Sequence, residues 1–245
     1  MKRRMDPEEE KFLAEYEPRD YPRPALTVDL VIFTVVDADL KVLLIERGGH
    51  PFKGCWALPG GFVSVGDGHR DQGEDLEFAA HRELAEETGL PHGSCYLEQL
   101  GTFGKAGRDP RMRVVTVAWS ALVRPSLAAV VVAGDDAAAA NWFSVGAQAP
   151  SLALAFDHQE ILALGLERLR SQLTRSNIAF ELVHESFTAG ELQSVYEAIL
   201  SKNADTRNFR RKFNRMVDEG LIERAPGKRH LGKARPAAVW RFVRG

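Results

Sequence analysis

The sequence predicts an α/β sandwich with a mixed sheet, followed by a smaller, basic helical domain. Three observations predict it. Runs rich in β-branched residues interleave with helical stretches as far as Leu173, the texture then changes to short helices and a basic hairpin, and the charge splits in the same region. Residues 201–245 carry 13 Lys or Arg against Asp205, Asp218, Glu219 and Glu223, a net of +9, which leaves 19 basic and 30 acidic groups, or −11, in the first 200. An acidic body with a basic tail raises nucleic-acid contact by the tail as one reading, a solvated basic surface being the other. With 245 residues and 44% hydrophobic content the chain has material for a real core, which excludes disordered and fibrous classes. The longest apolar stretch, Leu127 to Ala133, is far short of the roughly 18 residues of a membrane span. The beginning MKRRMDPEEEKF lacks an apolar signal core, so a cytoplasmic protein with no membrane partner is expected. Cys55 and Cys95 are too few and too far apart for a disulfide framework or a zinc site, and are expected as buried or half-buried thiols.

Three segments are expected: an extension over 1–20, the sandwich with its joining helix over 21–173, and the basic domain over 174–245. In the sandwich, ALTVDLVIFTVV and LKVLLIE, parted by Asp37, Ala38 and Asp39, read as a hairpin. Ser94 to Phe103 and Arg113 to Val123 read as further strands, Glu74 to Glu87 and Phe156 to Leu173 as helices, and the small residues of Ala133 to Ala140 and Gly146 to Ser151 as punctuation. In the basic domain Thr188 and Glu191 have the spacing of a capping box, and the helix they start puts Leu192, Val195, Tyr196 and Ile199 on one face. Asp205 offers a second N-cap, Phe209, Phe213 and Met216 recur with helical spacing, and Gly220 marks the stop. Leu221 to Arg224 and Ala237 to Val243 are expected to pair as strands around the loop Pro226 to Pro236. Helix, turn, helix and basic hairpin is the order of a winged helix.

The acidic helix EDLEFAAHRELAEETGL, Glu74 to Leu90, carries the chemistry. At about 100° per residue, with Leu76 at zero, Glu83, Glu86 and Glu87 fall near 340°, 280° and 20°, within or beside the apolar arc. Helices that need only solubility place acids opposite that arc, because desolvated carboxylates repel one another unless a cation compensates. Oxygen-only ligation suits Mg²⁺ or Mn²⁺. Arg82 stands ready to pair with Glu74.

Glu74, seven residues, then Arg82, Glu83, Leu84, Ala85, Glu86, Glu87, Thr88, Gly89 and Leu90 resemble the Nudix box, G-x5-E-x7-R-E-U-x-E-E-x-G-U, with ALPGGFV, Ala57 to Val63, resembling the preceding loop and strand. The resemblance covers about Tyr21 to Leu173. It implies a Nudix sandwich, Glu83, Glu86 and Glu87 as divalent-metal ligands assisted by a carbonyl of Gly60 or Gly61, a supporting Glu74–Arg82 pair, and metal-assisted attack of water on a diphosphate. Gly61 and Glu74 lie 13 apart where the motif spacing needs 6, so about seven residues around His69, Arg70, Asp71 and Gln72 are inserted before the helix. GTFGKAGRDPRMRVVTVAW and AGDDAAAANWF resemble Nudix domains of the ADP-ribose pyrophosphatase type. That implies Phe103 as a base-stacking ring, Arg108 and Arg111 as diphosphate partners, and Asp135 or Asp136 near the attacking water. Read without the resemblance, these are turn residues.

FTAGELQSVYEAIL, DTRNFRRKF and RPAAVWRF resemble the winged helix of Nudix-related transcriptional regulators of NAD metabolism. The implied regulator is a homodimer binding an ADP-ribose-like nucleotide with Mg²⁺ or Mn²⁺, and hydrolysing it. Its helix from about Thr206 to Glu219 enters the major groove of operator DNA, with Arg207, Asn208, Arg210, Arg211 and Lys212 toward the duplex and Lys228 and Arg229 along the backbone. Two alternatives stay open here: a dedicated ADP-ribose pyrophosphatase whose C-terminal domain never meets DNA, and a Nudix enzyme acting on capped or modified RNA.

Overall fold

The computed structural model describes residues 6–17, 22–66, 72–129, 137–145, 153–229 and 236–243. After a short helix α1 (Pro7–Glu15), strands β1 (Ala25–Val36) and β2 (Asp39–Arg47) form the expected hairpin, and β3 (Trp56–Ala57) and β4 (Gly60–Phe62) follow. Helix α2 (Leu76–Thr88), strands β5 (Tyr96–Phe103) and β6 (Val114–Leu122), the short α3 (Pro125–Ala128) and strand β7 (Ala137–Ser144) complete the sandwich. The seven strands form one mixed sheet in the order β3-β2-β1-β6-β5, with β4 added to β1 and β7 to β2. Among the described strand pairs only β1 and β6 run parallel.

Strand β1 is buried on both faces, which is why it reads as a continuous apolar run rather than an alternating one. Val28, Leu30 and Ile32 meet Ala79, Ala80 and Leu84 of α2 on one side. Val31, Phe33 and Val35 belong to a second cluster with Leu162, Leu166 and Leu169 of α4 (His158–Arg175). That cluster continues without a break into the C-terminal part of the chain. A 3-10 turn (Ile178–Leu182) leads to β8 (Ser186–Phe187), α5 (Ala189–Leu200), α6 (Thr206–Asp218), β9 (Ile222–Arg229) and β10 (Ala237–Phe242), the last two paired with β8 in a three-stranded sheet. Helix, helix and strand hairpin are the winged-helix order that the sequence predicts.

Several elements differ from expectation. Ala137–Ser144 is a strand rather than punctuation, because pairing along β2 supplies the backbone partners that a run of alanines does not itself favour. Helix α4 begins and ends two residues later than the sequence pattern indicates. Strand β9 reaches Arg229, through Pro226 and Gly227. Among the described residues no helix is long and apolar enough to cross a membrane. Cys55 and Cys95 are half-buried free thiols.

The capping box at the start of α5 is present in both directions: Glu191 N–H donates to Thr188 Oγ1 at 3.2 Å and Thr188 N–H donates to Glu191 Oε2 at 2.7 Å. Thr188 is buried, so water does not replace the lost acceptor when the hydroxyl is removed. Thr188→Ala is expected to destabilise the chain by about 1 kcal/mol. The check is a lower urea midpoint at unchanged slope, which separates lost stability from an altered unfolded state.

Candidate functional site

A cleft of about 510 Å³ opens beside α2, where the C-terminal half of that helix faces β4 and the loop before β6. Its walls carry opposite charge. Glu83, Glu86 and Glu87 line one side, with Gly60 and Gly61 at the edge, while Arg47 and Arg111 line the other with the rings of Phe62 and Phe156.

Arg82 organises the acidic wall. Its Nε and Nη2 donate to the two oxygens of Glu74 at 3.0 and 2.7 Å, its Nη1 donates to Glu83 Oε1 at 2.8 Å and Glu86 Oε2 at 2.9 Å, and Nη2 also reaches the Phe62 carbonyl at 3.0 Å. These bonds hold the Glu74 carboxyl below its ordinary range and the Arg82 guanidinium firmly charged. Burial pushes Glu83 the other way, above the usual carboxylate range, against the pull of Arg82. Glu87 Oε2 accepts the Gly60 N–H at 2.9 Å. A side chain at Gly61 would displace the Glu83 carboxylate, since a Cβ there would stand 2.3 Å from Glu83 Oε1.

The insertion before α2 leaves this arrangement in place. Its ends are pinched together by Glu74 N–H donating to the Ser64 carbonyl at 3.0 Å and Ser64 N–H donating to Glu74 Oε1 at 2.9 Å. Gly73 makes the pinch possible: its φ is +90°, and a Cβ would lie 2.0 Å from the Ser64 oxygen. Gly68, His69, Arg70 and Asp71 lie outside the described residues, as do Asp135 and Asp136.

A preformed three-carboxylate centre is not what the structure shows. Among the described residues no group of three His, Cys, Asp or Glu side chains is arranged to hold a metal ion. Glu83 and Glu86 turn to Arg82 and Glu87 turns to the Gly60 amide, because each carboxylate takes the nearest positive partner. The donor set is nonetheless all oxygen, Glu83, Glu86 and Glu87 all line the cleft, and the Glu83 carboxylate fills the space where a Cβ at Gly61 would stand, so these residues suit a hard divalent cation.

On the basic wall, Arg111 is held by Asp109 through two bonds of 3.0 and 2.7 Å and lies over Phe62 and Phe156, with its Cζ 5.4 and 6.0 Å from the ring centroids. Arg47, which the sequence reading missed, lies 4.9 Å over Phe156 and donates from Nε to the Pro51 carbonyl at 2.9 Å. Burial and the neighbouring Arg111 lower its pKa, so an anion between them relieves both effects. Neither Phe62 nor Phe156 is signalled by a motif.

The Arg108 side chain is only 4% exposed and clamps Asp157 at the head of α4 through bonds of 2.8 and 2.6 Å, with Asp29 at 3.3 Å. Arg108 lines the cleft as expected, but with its guanidinium committed to two carboxylates rather than free toward the cleft. Phe103 is a correction. It packs against the core on the α4 side of the sheet, near Leu164, and is not among the residues lining the cleft.

The second candidate surface is α6. Asp205 caps it by accepting from Asn208 N–H at 2.7 Å, and Phe209, Phe213 and Met216 turn inward, Phe213 meeting Trp240 edge-on at 5.2 Å. Arg207, Arg210, Arg211, Asn214 and Arg215 remain exposed and line a shallow open groove. Asn208 is exposed with them, its Oδ1 accepting from Arg211 Nη2 at 2.8 Å, and Lys228 is exposed on β9. Two residues expected at DNA face elsewhere. Lys212 lies over the Tyr196 ring at 4.2 Å and donates to the Leu173 carbonyl at 3.4 Å, while Arg229 donates to Glu191 at 2.7 and 2.8 Å and to the Ser186 carbonyl at 3.0 Å. Both are drawn inward by acceptors that no local pattern reveals.

Residues 25–164 match the model of the NUDIX domain, and residues 179–242 match that of the NrtR DNA-binding winged helix domain. The ADPR responsive transcriptional repressor NtrR of Acinetobacter baylyi is 40% identical over 235 residues, 96% of this chain and 88% of that protein. The crystal structure of Shewanella oneidensis NrtR complexed with a 27mer DNA is similar with a TM-score of 0.70 and 36% identity, covering 89% of this chain and 93% of the other. The NUDIX domain of the same Shewanella protein, complexed with ADP ribose, gives a TM-score of 0.57 at 39% identity, over 66% of this chain and 98% of that domain.

Removing Arg82 tests the acidic wall directly. Arg82→Met is expected to cost about 2 kcal/mol at neutral pH, the scale of hydrogen bonds to charged groups. Because the Glu74 carboxyl is depressed in the fold, its contribution is complete above the ordinary carboxylate range and disappears as pH falls through its lowered value. Thermal melts from pH 7 down to 3 should therefore show the gap between variant and parent closing toward acid; a constant gap would assign the loss to packing instead.

Proposed function

Because the chain belongs to the Nudix family and carries the winged helix of the NrtR group, we propose that it is an ADP-ribose-responsive regulator that binds operator DNA as a homodimer. The observation that carries the reading is the pairing on one chain of a cleft lined by both carboxylates and guanidinium groups and a recognition-type helix whose outward face presents Arg207, Arg210, Arg211 and Arg215.

The cleft suits a nucleoside diphosphate. Arg47 and Arg111 stand where they neutralise phosphate oxygens, and the rings of Phe62 and Phe156 offer flat faces to a base or sugar. Nudix hydrolases as a class use divalent metals. Here Glu83, Glu86 and Glu87, with a backbone carbonyl at Gly61, would hold Mg²⁺ or Mn²⁺, which when bound polarises the diphosphate and activates water. Arg82 orients Glu83 and Glu86 from behind, and the Gly60 amide orients Glu87. In the second domain Arg207, Asn208, Arg210 and Arg211 approach the major groove and Lys228 the backbone. A homodimer places two such helices on half-sites about one DNA turn, or about 34 Å, apart.

The reading is tested by fluorescence anisotropy with a duplex selected by the full chain from a random pool, with and without ADP-ribose. ADP-ribose is expected to shift the affinity for DNA. Arg211→Ala and Lys228→Ala are each expected to weaken DNA binding and to lower the salt slope by about 2, the signature of one lost phosphate contact in each subunit of the dimer. Absence of any selected duplex would leave the dedicated pyrophosphatase as the surviving alternative.

A second activity of the same cleft is favoured by one feature, the presence of Glu83, Glu86 and Glu87 on a single wall with the Arg82–Glu74 pair intact. Water adds to a phosphorus of the ADP-ribose diphosphate and the bridging P–O bond breaks, giving AMP and ribose 5-phosphate. Phosphatase-coupled phosphate release in Mg²⁺ is expected to detect turnover. Glu86→Gln and Glu87→Gln are expected to reduce it by about 100-fold or more, beyond the range for residues that only support a metal site. Unchanged turnover in both would remove these carboxylates from the site.

A further inference from the structure

The floor of the cleft and the head of α4 are built from the same residues. Phe156 and His158 line the cleft, and Asp157 between them is the N-cap position of α4. Phe156 has φ of +53°, a left-handed conformation that an aromatic residue adopts only when its surroundings hold it there. Three contacts do so. Arg108 clamps Asp157 with two bonds, and the buried imidazole of His158 accepts the Leu58 N–H on Nδ1 at 2.9 Å, leaving Nε2 3.5 Å from Asp29 Oδ1. The Phe156 ring lies against Phe52, centroids 4.8 Å apart. Leu58 stands two residues before Gly60, whose amide holds Glu87, so the acidic wall and the start of α4 share one backbone segment.

From that corner α4 runs 18 residues, about 27 Å at the usual helical rise, to the winged helix. Its far end is tied to both helices there. Arg170 Nε donates to the Ile199 carbonyl at the end of α5 at 3.0 Å, and Lys212 of α6 donates to the Leu173 carbonyl at 3.4 Å. A stiff rod thus has one end set into the ligand cleft and the other bonded to the DNA-facing helix.

We propose that the Phe156–Asp157–His158 corner transmits occupancy of the cleft to α6: a ligand pressing on Phe156 resets the corner, and α4 carries the displacement to the winged helix as a rigid lever. The proposal rests on the cleft being the ADP-ribose site. Asp157 and Arg170 are positioning residues here, since neither lines the cleft or the arginine face of α6.

The experiment measures DNA affinity of the full chain with and without saturating ADP-ribose, and ADP-ribose affinity with and without the selected duplex. In the parent the two ratios should be equal, because coupling is reciprocal, and of the order of 5- to 150-fold. Asp157→Asn, which keeps the shape but weakens the Arg108 clamp, and Arg170→Met at the far end are each expected to bring the ratio to within about twofold of unity, and Arg170→Met, remote from the cleft, to do so with each separate affinity near its parent value. Parent-like coupling in either folded variant overturns the lever. Hydrogen exchange on the unaltered chain decides independently if a variant fails to fold: ADP-ribose should change protection along α4 and into α6, and a change confined to the cleft loops overturns the proposal. If the parent binds no ADP-ribose the reading of the cleft fails; if it binds ADP-ribose and DNA without coupling, the lever alone fails.

Discussion

A carboxylate on a strand buried from both sides must find a positive partner, and Asp29 is such a carboxylate. Its neighbours on β1 are almost all apolar, so its charge is compensated from outside the strand by Arg108 at 3.3 Å, while the His158 imidazole, which burial holds toward its neutral form, stands 3.5 Å away. Arg108 is buried in turn and has Asp157 as a second acceptor, and burial alone would lower its pKa were it not for these two acids. The requirement that none of these groups be left unpaired fixes the loop before β6 and the first turn of α4 against β1. It thereby sets the floor of the cleft and the angle at which the chain leaves for its second domain.

A like-charge problem on the opposite wall has a related solution. Three glutamates near one another on α2 are held by a single guanidinium and a single amide, and the Arg82 guanidinium is itself anchored on Glu74 beneath the cluster. Arg47 and Arg111, both beside the Phe156 ring, have the mirror problem. A ligand that brings anionic oxygens together with a cation relieves both walls at once, which a neutral metabolite does not.

What was legible in the sequence follows the range of the interactions. The Glu74-to-Leu90 spacing, the Thr188–Glu191 box and the inward face of α6 are local and periodic, so the residues that make them announce them. Arg108 is different: its clamp lies 49 residues away, and GRDPR by itself reads as a polar turn, with only the family resemblance pointing it at a diphosphate. Phe62 and Phe156 enter the cleft because β4 and the loop before α4 bring them there, whereas Phe103 sits in a stretch that resembles the ligand-binding segment yet falls on the core side of the sheet. The alanines of β7 carry no strand signal of their own and depend on the edge that β2 offers.

The charge count of the C-terminal region overstates what is available to DNA, and this bears on how a regulator of this shape works. Arg229 is spent on Glu191, Arg241 on Glu223, and Lys212 is turned onto Tyr196 and the end of α4. The exposed set on α6 is a short row of arginines. Counterion release scales with the number of phosphates contacted, so a short row gives modest affinity per subunit. In the proposed homodimer, specific binding then depends on two subunits presenting their rows at the correct separation, and small changes in the angle of α6 matter more than they would for a surface holding DNA by charge alone. Lys212, turned onto Tyr196 and the Leu173 carbonyl, ties α6 to the end of α4.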